Sequence, residues 1–267
     1  MPLDPLTDID WAGHWRHLVE EREREAPVDP DQDFWASVAP RLRYDPEEAA
    51  KDPLLRVMEP YLDSRKTAID VGAGGGRHAV PLADRLDWVT AVEPSEGMRA
   101  AIPHRDNLTV VAASWQDADV AAADLVVCAH VLYFVADPVP FIEKMARVGR
   151  ERVFVYMRDR DMIAPSEQLF ETLAGKPRTR MPHLTDLWNL LRSRGVDADL
   201  AIVGYRIDQV YADFDEALAE CRQRLAAVWD EGKARAWLEA HLERNPDGSY
   251  IYGGDMVGGV AHWRPSA

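Results

Sequence analysis

Cysteine is almost missing from this chain. Its 267 residues hold two, Cys128 and Cys221, and neither belongs to a CxxC pair. That excludes a disulfide framework and argues against a zinc site. Long apolar runs are also missing, so no stretch has the length of a membrane span. The first residues, "MPLDPLTDID", have neither a basic region nor an apolar core, so no signal peptide is expected. These absences together predict a reduced, cytoplasmic protein that does not engage a membrane. Positive charge is in deficit: 31 Lys and Arg face 46 Asp and Glu, a formal net charge of −15. Nucleic-acid binding draws most of its affinity from basic surface, so no nucleic-acid partner is expected. The acidic excess is read as a solubility device. Internal repeats and low-complexity segments are absent as well.

Apolar residues make up 47% of the chain, enough for one large domain with additions. Residues 1–60 read as proline-broken helices. "WRHLVEERERE" is one, and "FWASVAPRLR" is another, with Phe34, Val38 and Leu42 on one face. From Lys66 the pattern changes. "TAIDV", "WVTAVEP", "LTVVAAS", "DLVVCAH" and "RVFVYM" are five apolar, β-branched runs, separated by helical stretches such as "PVPFIEKMARV". That alternation predicts a parallel sheet covered on both faces, an α/β doubly wound architecture. Leu184, Leu187, Trp188 and Leu191 then mark an amphipathic helix closed by Gly195. "ADLAIVGYRIDQVYA" reads as a sixth strand, Asp213 and Glu216 as a capping box before a helix, and "GGDMVGGVAHWRP" as a last, bulged strand.

The informative stretch is "AIDVGAGGGRHAV", residues 68–80. A glycine cluster at the end of a strand costs chain entropy, and it is explained by positive φ or by a ligand that approaches the backbone. Ligands of open parallel sheets bind beyond the carboxyl ends of the strands. A dinucleotide motif needs a small residue where Arg77 stands. The pattern is instead D-x-G-x-G-x-G, at Asp70, Gly72, Gly74 and Gly76. Glu93 follows about 20 residues later at the end of the second strand, where an acid accepts from both ribose hydroxyls of an adenosine. An acid with that role alone should be removable without harm to the ligand-free fold.

On these residues the chain resembles the class I, Rossmann-like S-adenosylmethionine-dependent methyltransferases, in their small-molecule branch. "AIDVGAGGGRHAVPLA" is similar to that family's first motif, "VTAVEPSEGM" to its second, "VVAASWQDAD" to its third and "DLVVCAHVLYFVADPVPFIEKMARV" to its fourth. The resemblance implies a seven-stranded sheet ordered 3-2-1-4-5-7-6 with strand 7 antiparallel, and helices on both faces. It also implies a helical cap built from residues 1–60 and an insertion near 158–183, with a further helical insertion near 213–243. It implies S-adenosyl-L-methionine as cofactor and a small-molecule methyl acceptor as partner. Asp70, Gly72, Ala73, Gly74, Glu93, Pro94, Ser114, Trp115, Gln116 and His130 are implied at the cofactor. Ser114 stands where many members have an acid, which leaves the adenine contact to the Trp115 ring and to Gln116 or Asp117.

Methyl transfer is an in-line displacement whose driving force sits in the donor, so alignment and water exclusion come first. His130, just past the fourth strand, is the candidate general base, with a positioning role as the alternative. Tyr133 and Trp35 are candidate walls of the acceptor pocket, and packing explains them equally well. Cys128, inside a strand, reads as a core thiol. His183 and His262 have no metal-ligand spacing, so no metal is expected. Two other functions stay open at this level. One is an S-adenosylmethionine-binding protein without catalysis, and the other is an NAD-dependent oxidoreductase.

Overall fold

A computed structural model describes residues 9–25, 33, 35, 39 and 43–265. Phe34, Val38 and Leu42, expected on one helix face, lie outside the described residues. The strands are β1 (Thr67–Val71), β2 (Trp88–Val92), β3 (Leu108–Val111), β4 (Ala123–Ala129), β5 (Gly149–Arg158), β6 (Asp199–Tyr211), β7 (Glu243–Arg244) and β8 (Tyr250–Trp263). They form one sheet in the order β3-β2-β1-β4-β5-β8-β6, with the two-residue β7 paired to β8. β8 therefore takes the place expected for strand 7, and it runs antiparallel to both neighbours.

Strands β1 to β5 are parallel and covered on both faces, which is why they read as near-continuous apolar runs. On one face Trp15, Ile142, Met145, Leu187 and Leu191 pack from the helices Trp11–Glu25, Pro138–Val148 and Leu184–Ser193. On the other, Leu54, Leu55, Met58 and Leu82 come from the helices Pro53–Met58 and Ala79–Ala83. The helices begin where the sequence offers caps. Asp52 precedes Pro53 and accepts from Leu54 and Leu55 N–H at 2.9 and 3.3 Å. Asp213 accepts from Glu216 N–H at 2.9 Å.

β6 and β8 are the longest strands and pair without a register break from Asp199↔His262 to Tyr211↔Tyr250. The bulge suggested by the glycines of β8 is thus not formed. The glycines answer close packing instead: a Cβ on Gly258 would stand 2.7 Å from the Met157 carbonyl oxygen, and one on Gly259 2.5 Å from that of Ala201. β5 ends at Arg158, opposite Gly258, so residues 250–257 of β8 continue with β6 beyond the carboxyl edge of the sheet, joined by β7 at residues 250 and 251. Against it stands a separate core of Leu169, Phe170, Leu218, Cys221, Ala234 and Leu238. These come from the helices Pro165–Ala174, Phe214–Arg224 and Glu231–His241. No helix among the described residues is long and apolar enough to cross a membrane.

Candidate active site

The glycine turn leaves β1 with three residues in the left-handed region: Gly72 (φ 69°), Gly74 (φ 54°) and Gly76 (φ 86°). At Gly72 space decides as well as φ, since a Cβ there would lie 2.4 Å from Val131 Cγ2. The turn is tied to β2, because Gly72 and Ala73 N–H both donate to the Val92 carbonyl, at 2.8 and 3.1 Å. Arg77, which spoils the dinucleotide pattern, donates from Nε to Asp52 at 3.0 Å, and His78 Nε2 is 3.2 Å from the same carboxylate oxygen.

Glu93 is buried at the end of β2. Its Oε2 accepts from Gly74 N–H at 2.8 Å and its Oε1 from Ser95 N–H at 2.9 Å. Burial raises its pKa, opposed by these two N–H groups. The acid therefore braces the turn, and each oxygen keeps a lone pair for a second donor. Asp70 is buried beneath the turn, and its Oδ2 has no hydrogen-bond partner. Burial pushes its pKa up to about 6.

A cleft of about 210 Å³ opens here, lined by Gly72, Pro94, Ser114, Trp115, Val131 and Phe134 among others. A second cleft of about 440 Å³ adjoins it along the helix Pro138–Val148, and Trp115, Gln116 and Phe134 border both. Ser114 Oγ donates to Asp117 at 2.6 Å, so the hydroxyl standing in the acid's usual place is bound to a carboxylate three residues on. Trp115 is held by its indole N–H on the Phe141 carbonyl at 3.1 Å. Lys144 was not visible as a site residue in the sequence. Its ammonium donates to the carbonyls of Trp115, Gln116 and Ala118 and stands 4.7 Å over the Trp115 ring, which fixes that wall.

His130 lies at the end of β4 with φ 60°, alone among described non-glycine residues in having positive φ. Its ring packs 4.4 Å from Tyr156, and its Nδ1 is 3.0 Å from the Tyr133 hydroxyl. That hydroxyl also accepts Arg158 N–H at 2.6 Å, so one oxygen links His130 to the backbone of β5. Burial, assisted by the Arg158 charge, pushes the His130 pKa well below the ordinary histidine value. A ring held neutral in this way is a poor general base. Tyr133 is buried and lines neither cleft, so its hydroxyl joins β4 to β5. Trp35 meets Phe134 edge to face, with centroids 5.2 Å apart, at the rim of the first cleft. Cys128 is a core thiol, with its pKa raised by burial.

The Asp70 shift has a sign that can be measured. The folded protein keeps this proton to about pH 6, while the unfolded chain releases it near 3.9. Native stability therefore falls as pH rises between those values, by about 2–3 kcal/mol for this group. Urea unfolding of ligand-free protein from pH 4 to pH 7 should show that loss in the wild type and not in Asp70→Asn. Parallel curves for the two proteins would mean that Asp70 ionises normally.

Comparison with known proteins agrees with this geometry. Residues 69–157 match the family model described as a methyltransferase domain. A Haemophilus influenzae protein described as uncharacterized is 28% identical over 207 residues, 70% of this chain and 75% of its own. Among solved structures, a candidate methyltransferase from Bacillus halodurans C-125 superposes with a TM-score of 0.54 at 14% identity, covering 83% of this chain and all of its own. The YcgJ protein of Bacillus subtilis gives 0.51 at 12% identity, with the same coverage. At these identities the two structures speak for the fold.

The residues fit S-adenosylmethionine. The turn offers backbone where a Cβ would obstruct, Glu93 has lone pairs to spare for ribose hydroxyls, and the orphaned Asp70 oxygen favours a cationic neighbour. With the sheet order, the glycine turn and the matched segment in agreement, residues 69–157 form a methyltransferase domain of Rossmann-like fold, with S-adenosylmethionine as its cofactor.

Proposed function

We propose that the methyl acceptor is a small molecule. The observation that carries this reading is where Asp33, Trp35 and Tyr44 make contact. Asp33 accepts from Ser95 Oγ at 2.7 Å, Trp35 meets Phe134, and Tyr44 N–H donates to the Gly75 carbonyl at 3.2 Å. These three residues thus touch three points around the cofactor cleft. A polymer needs an open groove, whereas a small molecule fits beneath a roof. The acidic balance further disfavours nucleic acid as acceptor. In this reading residues 1–60 and the segment near 158–183 form the cap, and the helices near 213–243 buttress it.

At the cofactor, Glu93 holds the ribose and the turn of Gly72, Ala73 and Gly74 passes beneath the methionine portion. Pro94, Ser114, Trp115 and Gln116 flank the adenine. S-adenosylmethionine, when bound, supplies an activated methyl group at a sulfonium. The protein's work is to align the acceptor with it and to exclude water. His130 serves as a positioning residue and not as a base.

The test is an intact-mass screen of metabolite pools incubated with the protein and the donor. A gain of one methyl group on a small metabolite is the expected result. Methylation only of added protein or RNA overturns the small-molecule reading. Once an acceptor is in hand, His130→Ala should change kcat by less than about tenfold and act mainly on acceptor KM. A fall of 10²–10⁴, the range of general base catalysis, with loss of a rate limb near pH 6.5, would restore the base role.

A further inference from the structure

Next to the cofactor cleft, side chains from the ends of β4 and β5 gather with Tyr205 from the middle of β6. The Tyr205 hydroxyl is buried, and although the Tyr156 side chain adjoins it, no partner stands in hydrogen-bonding geometry. The Arg158 guanidinium lies 4.4 Å over the Tyr133 ring and has no carboxylate partner among the described residues. His130 has its Nδ1 taken by Tyr133, which leaves Nε2 as the ring nitrogen without a partner among the described residues. His130 and Tyr205 flank the Tyr156 ring, at 4.4 and 6.4 Å by centroids. Burial raises Tyr133 and Tyr205 and lowers His130, while the Arg158 charge acts on all three. They therefore sit within one field. The carboxylate that faces the group, Asp52, is already engaged by Arg77 and His78.

A guanidinium, a phenolic hydroxyl and an imidazole within aromatic walls have a definite complement. Burying unmatched donors is costly, and a negatively charged oxygen group relieves several at once. A guanidinium fork matches a carboxylate in two parallel bonds. The rings of Tyr156, Tyr205 and Tyr133 suit a flat apolar body rather than a hydrated one. Val131, beside His130, forms part of the cofactor cleft wall, so a molecule anchored here would lie next to the donor.

We propose that Arg158, Tyr205 and His130 anchor the methyl acceptor, and that it is a small organic acid held by its carboxylate. This rests on the small-molecule reading above, and it identifies the acceptor by class.

The experiment is a saturation-transfer NMR titration of the full chain loaded with S-adenosylhomocysteine. The probes are benzoate, its neutral isostere benzamide, and inorganic phosphate. Benzoate should bind at least tenfold tighter than benzamide. Arg158→Gln and Tyr205→Phe should each weaken benzoate at least fivefold, with Arg158→Lys between Gln and wild type. S-adenosylhomocysteine affinity should be unchanged in all three variants, which shows that they fold. Equal binding of benzoate and benzamide, no benzoate binding, or indifference to Arg158→Gln overturns the proposal. Displacement of benzoate by phosphate at equal concentration overturns the carboxylate assignment. Failure of the wild type to bind S-adenosylhomocysteine strikes the methyltransferase reading instead, so the two failures are distinguishable.

Discussion

Glu93→Ala is expected to weaken S-adenosylmethionine binding about a hundredfold and to lower the melting temperature of the ligand-free protein. Two ribose bonds to a charged acceptor, at roughly 1.5–3 kcal/mol each, account for the first effect. The second follows from the brace. Without the carboxylate, the N–H groups of Gly74 and Ser95 lose their acceptors, at about 1–3 kcal/mol for each left unsatisfied. An acid read only as a ribose ligand should leave the empty fold untouched, and here the same two oxygens serve both states. Glu93→Gln should fall between, because its carbonyl can satisfy one N–H while its amide cannot accept the other. Isothermal titration and thermal melts in parallel decide the matter. An affinity within threefold of wild type, in a protein that still melts cooperatively, would place Glu93 outside the ribose site.

Gly72→Ala should be the most damaging single methyl group in the site. The left-handed backbone costs a non-glycine residue about 1–2 kcal/mol. The added carbon would also come 2.4 Å from Val131 Cγ2, and overpacking of this kind costs about 1–3 kcal/mol. Because Gly72 and Val131 both line the cleft, relief of the clash must come from the cofactor's space. Affinity should drop at least about a hundredfold, alongside a stability loss of about 2–4 kcal/mol. The two causes separate in a double mutant. Val131→Ala removes the obstructing methyls but leaves the φ cost, so Gly72→Ala/Val131→Ala should recover part of the stability. Recovery of all of it would mean that the backbone at Gly72 relaxes freely. No recovery would mean that the clash is not felt.

Much of this could be read directly from the chain, for a physical reason. Parallel strands buried on both faces leave a plain apolar trace, and "TAIDV" at 67–71 is β1 to the residue, as "PVPFIEKMARV" is its helix. The glycine turn and Glu93 were legible because both are short-range patterns at strand ends. What lay hidden depends on distant partners. "LTVVAAS" gives only Leu108–Val111 to the sheet, since the chain turns off toward Ser114. The first residues of β8 mix polar, glycine and aromatic residues, and β7 is the charged pair Glu243–Arg244, exposed at both positions. Nothing near Asp33 announces Ser95, and nothing near Tyr205 announces His130. The Tyr133 hydroxyl beside His130, and the burial that lowers its pKa, are not visible in one dimension.

The position of β8 between β5 and β6 has a consequence for the order in which the molecule can assemble. β6 leaves the ribosome before β8, yet β8 is the strand that hydrogen-bonds it into the sheet. Until residues 250–263 are made, β6 has no seat and β5 presents an open edge with the apolar side chains Val153, Phe154, Val155 and Met157. The strands β1 to β5 can pair as they emerge, so the cofactor half can exist early, in a sheet with an unguarded border. The half that carries Tyr205 can only close as a late, long-range event. β8, made after both strands it joins, is thus a keystone, and the half that carries Tyr205 is finished by a piece of chain far in sequence from the glycine turn.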